Sequence, residues 1–110
     1  MIRAQINQHD EVISGFKLTG HAGFSEEGQD IVCAAVSVLS INTVNALEKL
    51  AQAQFDLKED SANGGYLELT LSNQDQKDPK TQLLLETLAL GLSDIEESYP
   101  EYIRFKINKA

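Results

Sequence analysis

Over residues 1–7 apolar and polar side chains alternate, with Ile2, Ala4 and Ile6 on one side, the period-two pattern of a half-buried strand. Gln8-His9-Asp10-Glu11 reads as a polar turn. Val12–Thr19 returns as a second strand with Phe16 and Leu18 on its inner face, so the chain opens with a hairpin that runs straight into Gly20-His21. From Ile31 to about Ala53 the period lengthens. Val32, Val36, Leu39, Leu47 and Leu50 follow helical spacing, while Ala34, Ala35, Val38 and Ile41 make the first half apolar nearly all round. This predicts a central helix, buried at its N-terminal half and wetter near Glu48, Lys49 and Gln52.

Phe55 and Leu57 begin a short strand, and Ser61-Ala62-Asn63-Gly64-Gly65 supplies a turn whose last residues tolerate positive φ. Leu67, Leu69 and Leu71 alternate in the strand that follows. Asp78-Pro79 has the form of an N-cap followed by proline at the first helical position. Leu84, Leu85, Leu88, Leu92 and Ile95 then make the apolar stripe of a second helix, which Pro100 ends, and Ile103, Phe105 and Ile107 alternate in a last strand. The order ββαββαβ predicts an α+β fold, a single domain over residues 1–110. Its mixed or antiparallel sheet carries both helices on one face. The other face is left wet or covered by a second copy of the chain.

Composition narrows the function classes. With 110 residues and 42% hydrophobic content the chain supports one compact core. No uninterrupted apolar run approaches the roughly 18 residues of a membrane span, so no membrane partner is expected. The opening MIRAQINQ lacks the apolar core of an export signal. A single cysteine excludes an internal disulfide, and two histidines leave too few ligands for a metal centre, so neither metal nor cofactor is expected. A free thiol without an export signal suits a reducing cytoplasm. The formal charge of −8 argues against direct, sequence-independent binding to nucleic acid. Such a surface attracts a basic partner or simply maintains solubility.

The candidate chemistry lies in GHAGFSEEGQDIVCAAVS, Gly20 to Ser37. Cys33 follows His21 by twelve residues and falls in or next to the first turn of the predicted central helix. The helix dipole there favours a thiolate by only about 0.3–1 kcal/mol. A neighbouring imidazole that takes the thiol proton is needed for a good nucleophile. His21 is the candidate, because Gly20, Gly23 and Gly28 ease a loop that folds it back onto the helix start. Free N–H groups at that start are candidates to hold an oxyanion. Asp30 fits either an N-cap or a group that orients His21. Ser37, one turn beyond Cys33, either bonds near the site or back to its own helix. A lone cysteine in IVCAAVSVL is, on spacing alone, usually a small core residue.

Gly20-His21-Ala22, Gly28, Asp30-Ile31-Val32-Cys33-Ala34-Ala35 and Ser37 strongly resemble the signature of the ribosomal-processing cysteine protease family, Prp. Asn45-Ala46-Leu47, the Asn63-Gly64-Gly65 turn and Ile95-Glu96-Glu97-Ser98-Tyr99 extend the likeness over nearly the whole chain. The resemblance implies a cytoplasmic, usually homodimeric cysteine endopeptidase. Such enzymes remove the N-terminal extension of a large-subunit ribosomal protein whose mature arm reaches toward the peptidyl-transferase centre. Carried over, Cys33 is the nucleophile and His21 the general base. Asp30 and Ser37 match further signature positions, and Gly20 and Gly28 frame a mobile loop, here Ala22–Gly28, expected to act as a lid. A Phe-rich cleavage region in the family's substrate implies an apolar groove beside Cys33. Two alternatives stay open: a non-catalytic ribosome-assembly or interaction module with a structural Cys33, and a redox or acyl-carrying thiol protein.

Overall fold

The opening hairpin is longer and its turn tighter than the alternation predicts. In a computed structural model that describes residues 1–21, 29–74 and 76–109, the Asn63 side chain excepted, β1 (Ile2–His9) and β2 (Val12–Thr19) leave only Asp10 and Glu11 between them. Both adopt positive φ, 50° and 66°, as a two-residue turn matched to strand twist requires. The register slips between Asn7 and Gln8. That bulge lets Ile13 share the buried face with Phe16 and Leu18, although strict alternation would turn it outward. The Gln82 side chain completes the end of β2, accepting from Ile13 N at 2.9 Å and donating to Ile13 O at 2.8 Å.

The remaining elements follow in the expected order: α1 (Gln29–Lys49), β3 (Phe55–Asp60), a short 3-10 turn at Ala62–Gly64, β4 (Tyr66–Leu71), α2 (Pro79–Ser98) and β5 (Ile103–Lys109). The sheet order is β3-β4-β2-β1-β5. All neighbours are antiparallel except β1 and β5, which α2 makes parallel by carrying the chain back across the sheet. Edge strand β5 is not left bare, since Glu96 of α2 accepts from Phe105 N at 2.7 Å.

One core forms between sheet and helices. Ile2, Phe16, Leu18, Leu69 and Ile103 of the sheet meet Val32, Val36 and Leu47 of α1 and Leu85, Leu88 and Leu92 of α2, all at most 1% exposed. The α+β class with both helices on one face is therefore the observed fold.

Two expectations need correction. First, α1 stops at Lys49, and Gln52 takes a positive φ of 54° as the chain turns, so Leu50 is 71% exposed and outside the apolar stripe. Second, the first half of α1 is buried on one side only. Ile31, Val38 and Ile41 are 63%, 69% and 51% exposed, and Ala34 and Ala35 are exposed with them, because the sheet and α2 contact only one side of the cylinder. By length and composition alone, α1 would also be apolar enough to cross a membrane. Its Ser, Asn and Thr residues interrupt every apolar run without lowering the mean hydropathy enough to matter. Val32, Val36, Val44 and Leu47 make it the core helix of this domain.

Candidate active site

Strand β2 ends where the site begins. Gly20 takes φ +80°, and its N–H donates to Gly65 O at 3.2 Å, so the chain leaves the sheet beside the start of β4. A Cβ at Gly20 would lie 2.5 Å from the Met1 carbonyl oxygen. Glycine is therefore required there twice, by conformation and by space.

The first helix docks on this corner through two side chains one turn apart. The Cys33 thiol lies 3.7 Å from Gly20 O, and Ser37 Oγ donates to His21 O at 3.2 Å. The sequence left Ser37 between two roles; its bond goes to the His21 carbonyl rather than back to its own helix. Cys33 is 6% exposed and belongs to the core cluster. With Gln29 as the first helical residue, Cys33 lies just past the first turn, so its own N–H is paired within the helix. Donors for an oxyanion come from the turn before it. One of these, Ile31 N, donates to Asp30 Oδ1 at 2.9 Å, a bond between neighbours inside the first turn rather than an N-cap to the second or third residue. Gly28 and the loop Ala22–Gly28, including Phe24, Glu26 and Glu27, lie outside the described residues.

His21 opens onto a cleft of about 180 Å³ lined by Ser37 and Ile41 of α1, Glu59 and Asp60 of β3, Ser61 and Leu67. Its Nδ1 is buried with no hydrogen-bond partner among the described residues. Burial holds the imidazole below its ordinary pKa of 6.5, and the negative charge of Glu59 offsets part of that effect. The ring is thus neutral near pH 7, the state in which it accepts a proton.

The sequence reading missed Glu59. A signal was present: Phe55, Leu57 and Glu59 share one face of β3, so an acid follows two apolar residues on the helix side of the sheet. The register confirms that side, because Glu59 pairs with buried Leu67. A carboxylate in an apolar column marks a place where the core gives way to a site.

The helix that holds Cys33 adjoins the segment that holds His21, and His21 lines a cleft with an apolar rim; the family comparison sets the class, a cysteine protease. The description "Cysteine protease Prp" belongs to the family model that matches residues 1–104. The chain belongs to the Prp family. It is 40% identical to the ribosomal processing cysteine protease Prp of Bacillus subtilis, over 98% of both chains. Its structure is similar to that of SMU.848 from Streptococcus mutans (TM-score 0.95, 44% identity, 100% of this chain and 96% of that one). It is also similar to the ribosomal processing protease Prp of Staphylococcus aureus. With a substrate peptide that enzyme gives TM-score 0.87 at 32% identity over 98% of this chain and 100% of the other. With a covalently linked product peptide it gives 0.83 at 34% over the whole of both.

Proposed function

We propose that this cysteine protease removes the N-terminal extension of a large-subunit ribosomal protein, the one whose mature arm reaches toward the peptidyl-transferase centre. Cys33 is the nucleophile and His21 the general base. One observation carries the assignment: two side chains of α1 one turn apart, Cys33 and Ser37, both reach the Gly20-His21 segment. The names of the relatives and the peptides bound to the S. aureus enzyme support the substrate class.

In the resting arrangement the thiol donates weakly to Gly20 O. Neutral His21 takes that proton when the imidazole turns toward sulfur. The thiolate attacks the scissile carbonyl, N–H groups of the first turn of α1 hold the oxyanion, and His21 returns the proton to the leaving amine. Water then releases the acyl-enzyme by the reverse proton path. The exposed strip Ile31, Ala34, Val38 and Ile41 runs along α1 to the cleft and takes an apolar stretch of peptide. The net charge of −8 draws in a basic ribosomal protein, so association weakens as salt rises.

The free, buried Cys33 supports a cytoplasmic enzyme. Leu83 and Leu90, 63% and 64% exposed and seven residues apart on α2, support pairing of two copies.

The test mixes the purified protein, wild type and Cys33→Ala, with the extended ribosomal-protein precursor and reads intact mass. A single cut by wild type and none by the variant is expected. No cut by either would return Cys33 to the role of a core thiol.

A further inference from the structure

The face of the sheet turned away from the helices carries a concentration of positive charge that the composition hides. Arg3 faces Arg104 across the β1–β5 pair, and in the next row Gln5 stands between Lys17 on β2 and Lys106 on β5. These four cations line a shallow concavity of about 240 Å³. The rest of the chain holds five Lys and Arg against seventeen Asp and Glu, a formal charge of −12. Among the described residues, the ion pair within 4 Å is His9 with Asp10; none of the four has a carboxylate within that distance, and Lys17 stands opposite Glu68 across the β2–β4 pair. Arg104 is held by donating to the carbonyl oxygens of Pro100 and of Ile103, the latter at 3.2 Å, acceptors that leave its charge uncompensated. The Lys17 ammonium sits 5.5 Å from the ring centroid of Tyr66, which lies on the same face beside Thr19.

We propose that this face binds single-stranded RNA through its phosphate backbone. Rows two residues apart along a strand are roughly 6.6 Å apart, close to the spacing of successive phosphates. Paired guanidinium groups match phosphate oxygens in a plane. Tyr66 adds a ring on which a base stacks, so the face combines the two elements of a sequence-tolerant single-strand site, cations along the backbone and an aromatic platform. Asp56, Asp60 and Glu68 lie on the same face of β3 and β4, and Glu68 accepts from the Tyr66 hydroxyl at 3.1 Å, so the cations of the site are confined to β1, β2 and β5, with Tyr66 of β4 at their border. The argument from net charge against nucleic acid concerns the chain as a whole, whereas a strand of RNA meets one face. The assignment is independent of the peptidase reading, because the dyad lies at the helix side of the sheet.

The test is fluorescence anisotropy of a labelled oligouridine with the full chain. Four phosphate contacts on a single strand give a slope of log K against log salt of about −2.8, a loss of roughly 50-fold between about 50 and about 200 mM KCl. Lys17→Glu with Lys106→Glu removes the binding, and Lys106→Gln alone reduces the slope by about 0.7. Both variants cleave a peptide substrate at the wild-type rate. Three results overturn the proposal: no binding at low salt, a slope unchanged in the variants, or equally tight binding of a polyglutamate peptide. Salt-sensitive self-association that the same variants abolish would also overturn it, by assigning the face to a second copy.

Discussion

The two helices cover the same sheet face and are built differently. The start of α2 is fully capped: the Asp78 carboxylate accepts from Thr81 N at 3.2 Å and Thr81 Oγ1 at 2.9 Å, with Pro79 at the first helical position. Leu85, Leu88 and Leu92 fill one stripe of the core, Tyr99 N closes the other end on Ile95 O at 2.8 Å, and Glu96 guards the edge of β5. By contrast, α1 leaves Ile31, Val38 and Ile41 in water and buries Ser40 Oγ without a partner among the described residues. It spends two side chains, Cys33 and Ser37, on the chain segment that holds His21. Unsatisfied polar atoms and exposed apolar surface are costs a helix chosen for stability would avoid. Leu83 and Leu90 are equally exposed on α2, so the difference lies in the unpartnered Ser40 Oγ and in the two side chains that α1 gives to the His21 segment; these separate the helix that stabilises the domain from the helix that carries the candidate site.

That division is most sharply tested at Cys33. Cys33→Ala should lower kcat by at least about 10⁴-fold while moving the urea midpoint little, since alanine nearly fills a small core position. A stability loss as large as that of a core leucine would erase the distinction between the helices. The converse change is Leu88→Ala on α2, at a position 0% exposed. It should cost about 2–5 kcal/mol in urea unfolding with kcat of the folded fraction unchanged.

Gly20→Ala lies between the two. Positive φ and the close approach to Met1 O should cost about 1–3 kcal/mol, and activity should fall by more than the unfolded fraction explains, because the same backbone positions His21.

The smallest effect is expected at Glu59. The carboxylate raises the His21 pKa against the larger lowering by burial, so Glu59→Gln should move the acidic limb of kcat/KM to lower pH. An unmoved limb would show that Glu59 is not coupled to the base. Because the folded pKa of His21 is depressed, the unfolded chain binds the proton first. Its contribution to stability is present above pH 6.5 and is lost as pH falls below that value; urea titrations on either side of it check the sign.

Much of this was readable from residue order. Alternation marked all five strands, Asp78-Pro79 marked the start of α2, and the GHA and DIVCAA segments pointed to the corner where α1 docks on the Gly20-His21 segment. Each of these signals is local, so the chain states it wherever it falls. Other features were not local. The bulge that brings Ile13 inward, the parallel pairing of β1 with β5, and the exposed side of α1 depend on which element lies next to which. An all-round apolar helix looks buried until the sheet and α2 are seen to reach only one side of it. Glu59 joined the site only when the register set it beside Leu67, at the end of the sheet where β2 releases His21.

Charge makes the same point. Residue counts determine that this protein is strongly acidic, because net charge is a sum that folding does not alter. They also determine the strands, the helices and the single thiol, because period and cap chemistry act over a few residues. Only the tertiary structure decided that Arg3 and Arg104, far apart in the chain, stand side by side on the open face, and that Glu59 shares a cleft with His21. Those are long-range juxtapositions, and no short stretch of sequence contains the packing that creates them.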